Sequence, residues 1–394
     1  MKPSFKTEAE AMRSQLVEWR RDLHQHPEIA FEEIRTARFV AETLAQFGFE
    51  VQTGIGKTGV VGILDGDDVG PTVMIRADMD ALPIEEQNDT QYRSQIAQRM
   101  HACGHDAHTA IALAVAKMFA QKRSHWKGRL KFVFQPAEEI GQGAKAMIAD
   151  GVLTQMRPDI VLGLHVWNDL PIGYVGITEG AAMAGTQRFS ILITGKGGHA
   201  ALPHQTHDPV VAAAQLMSAV QTIVSRNLDP LLSGVVSITQ MQGSDAFNII
   251  PAQVMLGGTI RAFETFTMDL IKTRLAQLAQ QIALAFDCEA TITYENSLNP
   301  LVNDPLVARR LRECFRQVDA SLEIIDNIRT MGSEDMSEYL AVVPGVFFFV
   351  GSANAERGLN YPHHHPKFDI DEEALVIGAS LLASAVAEYV WQQE

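Results

Sequence analysis

Residues 71–80 read PTVMIRADMD: an apolar burst, Val73 to Ile75, running into two aspartates, Asp78 and Asp80. A short apolar run of this kind predicts a strand buried on both faces, as in the parallel sheet of an α/β domain. Outward from it the same pattern repeats in GVVGILDG (59–66), RLKFVFQPAEE (129–139), DIVLGLHVW (159–167) and PGVFFFVGS (344–352). Segments with helical spacing separate them, among them 109–122 and 141–153, after two opening helices expected within 11–28 and 31–48. The alternation gives an α/β fold. In open α/β sheets the ligand site lies beyond the carboxyl ends of the strands. Here those ends carry Asp78 and Asp80, Glu138 and Glu139, and His165, and the run of phenylalanines leads on to His363, His364 and His365.

The texture changes after about residue 184. TQRFSILITGKGG (186–198) alternates like a half-exposed strand, 207–226 is an amphipathic helix, 234–243 and 252–263 read as two strands, 267–287 as a helix and 289–296 as a last strand. This β-α-β-β-α-β order predicts a ferredoxin-like α+β insert over 184–297, dividing an α/β domain made of 1–183 and 298–394.

Composition narrows the function. With 32 basic against 47 acidic residues the formal charge is −15, which argues against nucleic acid and an anionic membrane surface as partners. Three scattered cysteines, Cys103, Cys288 and Cys314, do not make a disulfide framework. The opening MKPSFKTEAEAMRSQ lacks the apolar core of a secretory leader, and no apolar run is expected to span a bilayer. A cytoplasmic protein is the expectation.

The stretch MHACGHDAH (100–108) is the densest in metal-ligating types. Cys103 and His105, two apart, would face different sides of a helix, so they converge only from a loop, where Gly104 suits a turn; a helix is expected to begin near His108. Read singly, each feature has a plain alternative. His101 and His108 read as polar residues at a helix entrance, Glu138–Glu139 as a solvated helix start, and His165 as a core histidine. His101 and His108 keep that reading, but the gathering of carboxylates and His165 at strand ends points to a metal site that includes Cys103 and His105.

The motifs RADMDALPI (76–84), HACGHDAH (101–108), FQPAEE (134–139), LHV (164–166), GKGGHAALPH (195–204), NIIP (248–251), GGTIRAF (257–263), GSEDMSEY (332–339) and HHHPKFDIDEE (363–373) together resemble the metal-dependent amidohydrolases that include hippurate hydrolases, N-acyl-amino-acid deacylases and auxin-conjugate hydrolases, relatives of di-metal aminoacylases and carboxypeptidases. The resemblance implies a di-metal aminopeptidase-like catalytic domain, with the insert as lid and dimerisation domain. It implies two divalent cations (zinc, manganese, nickel or cobalt) held by Cys103, His105, Glu139, His165 and His364, with His363 or His365 as alternatives to the last. Asp80 would orient a ligand, with Asp78 holding a weaker claim to that strand end. Glu138 would act as general base on metal-activated water, and His199, reaching a neighbouring subunit, would stabilise the oxyanion. Asn248 and Arg261 would hold the substrate carboxylate, and Gly332 to Asp335 would line the site. His204, His207 and Asp208 read as structural, Asp208 as a helix cap before Pro209. The implied reaction is hydrolysis of the amide of a small N-acyl amino acid by a homo-oligomer, dimer or tetramer. A dipeptidase, a hydrolase using Cys103 as nucleophile, and a non-catalytic binding protein on the same fold are the alternatives.

Overall fold

A computed structural model describes residues 4–392. The chain forms two compact units, one comprising the chain up to Ala182 with Val302–Arg329 and the part from Asp335 onward, the other Met183–Leu301 with Thr330–Glu334. The second unit thus runs slightly past the 184–297 expected from the sequence and gathers a short segment from much later in the chain.

The first unit is built on an eight-stranded sheet in the order Glu50–Ile55, Gly59–Asp65, Arg129–Gln135, Thr72–Asp78, Ile160–Pro171, Gly345–Ala353, Tyr174–Gly176, Glu323–Ile325. Its centre is parallel: Thr72–Asp78 lies between Arg129–Gln135 and Ile160–Pro171, and Gly345–Ala353 follows. These strands are buried almost end to end, which is why their sequences are near-continuous in apolar residues instead of alternating. The register sets Asp78 beside Gln135 and Phe349 beside His165, so the polar strand ends gather at one edge.

Two buried helices complete this core. His105–Ala120 is buried over nearly its whole circumference. Glu373–Val390 corrects one expectation: its mean hydropathy of 1.5 makes it long and apolar enough to cross a membrane, yet 78% of it is buried in the unit. It is a core helix (Gly378 passes so close to the other helix that a Cβ there would meet Ile111 Cδ1 at 2.7 Å). Near the start of the chain the helix predicted from Phe31 begins instead at Ile34, because Phe31 takes the left-handed φ of 63°.

The second unit has a four-stranded antiparallel sheet, ordered Gly234–Gln242, Gln253–Ala262, Gly185–Thr194, Glu289–Leu298, with the helices Pro209–Thr222 and Thr265–Ala285. Phe189, Ile191 and Ile193 alternate into a core with Leu216, Ile271 and Leu275, giving the period-two pattern of a sheet covered on one face. Asp208 caps its helix through the Val210 N–H at 2.8 Å. His207 Nδ1 lies 2.8 Å from the Asp287 carbonyl, and His204 sits in a short turn.

Candidate metal centre

Gly104 adopts φ +90° and has no room for a side chain, since a Cβ would meet Val166 Cγ2 at 2.4 Å. The helix therefore starts at His105, one turn earlier than periodicity suggested, leaving Cys103 on the preceding loop and His105 in the first turn. Cys103 Sγ lies 3.5 Å from His165 Nε2. His165 Nδ1, 2.5 Å from the Val166 carbonyl, donates its proton there, so Nε2 presents a lone pair toward the thiol. His105 Nδ1 is turned to Asp80, 2.9 Å from its carbonyl and 3.2 Å from Oδ1. Its Nε2 faces the glutamates, 4.0 Å from Glu138 Oε2 and 4.0 Å from Glu139 Oε1.

The three consecutive histidines separate cleanly. His363 Nε2 accepts the Asn168 N–H at 3.2 Å, and His365 Nδ1 accepts the Lys367 N–H at 3.0 Å while its ring stacks on Tyr361. His364, at φ 65° with its N–H donated to the Ala102 carbonyl, places Nε2 3.4 Å from Glu139 Oε2. Two donor triads result, Cys103–His105–His165 and Cys103–Glu139–His364, sharing the thiol, each with its ligand atoms within 4.8 Å of one another.

This donor set fits divalent cations. Among the described residues His105 Nε2 and Glu139 Oε1 are both buried with no hydrogen-bond partner, a cost that a bound cation removes. Thiolate, imidazole and carboxylate are the ligands of zinc-like sites. The electrostatics agree. Burial pulls the His105 imidazolium down, but the Asp78, Asp80 and Glu139 carboxylates outweigh it and lift the group to about 10. Burial pushes Glu139 up to about 8, with His105 opposing and Asp80 adding. Burial holds His165 well below the usual histidine range and lowers His364 too, leaving both imidazoles as neutral donors. A cation would displace the proton that His105 and Glu139 otherwise retain.

Around the ligands lies a buried shell, only part of which the sequence exposed. Asp80 Oδ2 accepts the Glu139 N–H at 3.0 Å. His108 is no exposed helix-entry residue: with the helix starting at His105, it falls one turn later on the same face. Its Nδ1 lies 2.6 Å from Asp78 Oδ1, its Nε2 accepts the Val166 N–H at 2.9 Å, and its ring packs 4.5 Å from His165. His101 is likewise buried, behind the loop. Asp78 is held by Arg76 at 2.7 Å, and Arg76 also reaches Asp335 at 2.9 Å. Asp335 accepts Gln135 Nε2 and the Ala144 N–H, so it ties two strand ends to the helix Gly143–Ala149.

Sequence reading missed Arg20 and His24. Arg20, fully buried, bonds Asp106 at 2.9 Å and Asp369 at 2.6 Å, joining the two ligand-bearing segments; His24 Nδ1 lies 2.8 Å from Asp106. The available signal was two basic residues at i, i+4 on the same helical face as Leu16 and Leu23, where solvent-facing charges do not belong.

In the second unit His199 and Asn248 come together. His199 pairs with Ile249 in a two-stranded ladder, and the Ala200 N–H donates to the Asn248 carbonyl at 3.0 Å. Arg261 does not join them. It lies on Gln253–Ala262 opposite Thr186, half-buried, and burial beside Arg188 lowers its guanidinium. The ladder continues past the other end of that strand, and the eight steps from Gln253 to Arg261 alone span about 26 Å.

Comparison with known proteins places this geometry. Residues 74–388 match the model of peptidase family M20/M25/M40. The chain is 39% identical over 365 residues to N-acetyl-L-cysteine deacetylase of Bacillus subtilis, covering 93% of this chain and 86% of the relative. It is 39% identical over 388 residues to IAA-amino acid hydrolase ILR1-like 4 of Arabidopsis thaliana, covering 96% and 88%. The crystal structure of a dinuclear metal-binding M20 peptidase from Bacillus subtilis superposes with a TM-score of 0.85 at 33% identity, covering 96% of this chain and 98% of that one. The strand-end donors, the family match and these relatives agree, and the chain belongs to peptidase family M20/M25/M40 as a metal-dependent amide hydrolase.

Proposed function

We propose that this enzyme cleaves the amide bond of small N-acyl amino acids, with Glu138 as general base. The observation that carries the reading is the adjacent glutamate pair. Glu139 faces His364 and Cys103, while Glu138, nearly buried, stands beside His105 outside both thiol-sharing triads. Cys103, His105, Glu139, His165 and His364 would hold two divalent cations, which when bound supply Lewis acidity toward the scissile carbonyl and make water a nucleophile near neutral pH. The carboxylate of Glu138 takes the proton of the attacking water and returns it to the departing amine. Buried surroundings keep bulk water from competing for that proton.

The relatives' names, a deacetylase of N-acetyl-L-cysteine and a hydrolase of IAA-amino acids, support substrates with a small amino acid on one side of the amide and an acyl group on the other. Arg261 is suited to the substrate carboxylate as a bidentate partner. A small substrate cannot touch both Arg261 and the His199–Asn248 ladder of one chain, since they lie at opposite ends of a strand. His199 and Asn248 would therefore serve the site of a second copy, and the enzyme works as a homodimer or larger oligomer. Three cysteines, none of them in a disulfide, support a reducing, cytoplasmic setting.

The 3.5 Å contact between Cys103 and His165 also favours a second reading, a thiol nucleophile with a histidine base. A chelation assay separates the two. Stripping with chelator is expected to abolish hydrolysis of N-acetyl amino acids, and added zinc, manganese, nickel or cobalt to restore it. Full activity in chelator, with loss only on thiol alkylation, would establish the cysteine mechanism instead.

A further inference from the structure

Glu33 is fully buried, far in sequence from every ligand, and its carboxylate is spent in an unusual way. It occupies the residue before the helix Ile34–Gln46, where a side chain ordinarily caps the first turn, yet it makes no capping bond. Glu28 does that work instead, accepting the Arg35 and Thr36 N–H groups at 3.0 and 2.8 Å. Glu33 is thereby free to turn inward. Its Oε1 accepts two backbone N–H groups, from Phe31 at 3.0 Å and Ala137 at 2.9 Å, and its Oε2 accepts the Thr58 hydroxyl at 2.5 Å.

Both amides belong to non-glycine residues in the left-handed region, Phe31 at φ 63° and Ala137 at φ 53°. Such residues persist only where the surroundings over-determine them. Ala137 is fully buried and immediately precedes Glu138. Its carbonyl accepts the Gly143 N–H at 3.2 Å, and the Glu138 carbonyl accepts the Gly141 N–H at 2.7 Å, so the turn that presents both glutamates starts from this one residue. The segment that supplies Glu33 is anchored beside the other side of the site, since the Ala81 N–H, next to Asp80, donates to the Glu28 carbonyl at 2.8 Å. Burial raises the Glu33 carboxyl to about 6, with the Thr58 hydrogen bond opposing.

We infer that Glu33 is a positioning residue for Glu138 and Glu139: its carboxyl, by accepting the Ala137 N–H, locks the left-handed turn that aims the base and its neighbouring ligand. The inference rests on the reading of Glu138 as general base. It is tested in the full-length, metal-loaded enzyme with Glu33→Gln, which keeps the reach and loses the charge, and Glu33→Asp, which keeps the charge and loses the reach.

Glu33→Gln is expected to keep kcat within about threefold of the parent, because an amide oxygen accepts the same two N–H groups. Glu33→Asp is expected to lose about 100-fold in kcat with KM within about threefold, as a displaced catalytic group does. It should also release metal at a chelator concentration about tenfold lower than the parent, the usual effect of losing a residue that orients a ligand. Circular dichroism shows whether each variant is folded at the assay temperature. Parental kcat and metal retention in Glu33→Asp would overturn the inference, as would a folded Glu33→Gln impaired as deeply as Glu33→Asp. Should Glu33→Asp not fold, hydrogen exchange at the Ala137 amide of Glu33→Gln decides: parental protection supports the lock, rapid exchange refutes it. Glu138→Gln is assayed alongside. Parental turnover there would mean that the base is misassigned, whereas an inactive Glu138→Gln with a fully active Glu33→Asp would sink this inference alone.

Discussion

Glu138→Gln is expected to retain its metal and to turn over about 1,000-fold more slowly than the parent, within the range that positioned proton transfer contributes. The substitution is nearly isosteric and leaves Cys103, His105, Glu139, His165 and His364 untouched, so neither fold nor cation content should change. What it removes is the one glutamate carboxylate of the pair that stays outside the two thiol-sharing triads. KM should move little, because the lost interaction is with the proton in flight and not with the bound substrate. Loss of metal together with activity would instead make Glu138 a ligand. Its 4.0 Å approach to His105 and its grouping with His105 and Glu139 give that outcome a structural basis, so metal content must be measured with the rate.

Mixing two inactive variants is expected to restore activity. Glu138→Gln lacks the base, and His199→Ala lacks the imidazole proposed to act on a second copy. In a mixed dimer one site combines an intact Glu138 from one chain with an intact His199 from the other. Random exchange of equal amounts makes half the dimers mixed, each with one good site of two, so about a quarter of parental activity should return. The physical ground is the second unit alone: His199 and Asn248 share a ladder beyond one end of the strand whose other end carries Arg261. No recovery after verified subunit exchange would mean that His199 acts within its own chain or not at all.

The fold was legible where burial alone writes the sequence. PTVMIRADMD, RLKFVFQPAEE and PGVFFFVGS are continuous in apolar residues because their strands are covered on both faces, and the period-two pattern of TQRFSILIT follows from a sheet covered on one. The polar strand ends were visible for the same reason, as charges abutting such runs. What stayed hidden depends on backbone placement. The helix start at His105 turned His108 from an entrance residue into a buried partner of Asp78, and it hinged on the left-handed Gly104 packed against Val166. Among the three histidines the resemblance already favoured His364 by its spacing to Pro366; what spacing does not give is the positive φ at which it meets Glu139. Arg20 and Glu33 were missed because their partners, Asp106, Asp369 and Ala137, are remote in sequence. The apolar helix Glu373–Val390 shows the converse error, where composition alone does not distinguish a helix of the core from one suited to lipid.

One thiol, Cys103, is common to two triads of candidate metal ligands. Titrating chelator-stripped enzyme with cobalt(II) tests this sharing most directly, because thiolate bonding to cobalt produces its own near-ultraviolet absorption. A thiolate band should develop to saturation at two equivalents per chain and disappear in Cys103→Ala. A titration that ends at one equivalent, or a spectrum that the Cys103→Ala substitution leaves unchanged, would contradict a shared thiol.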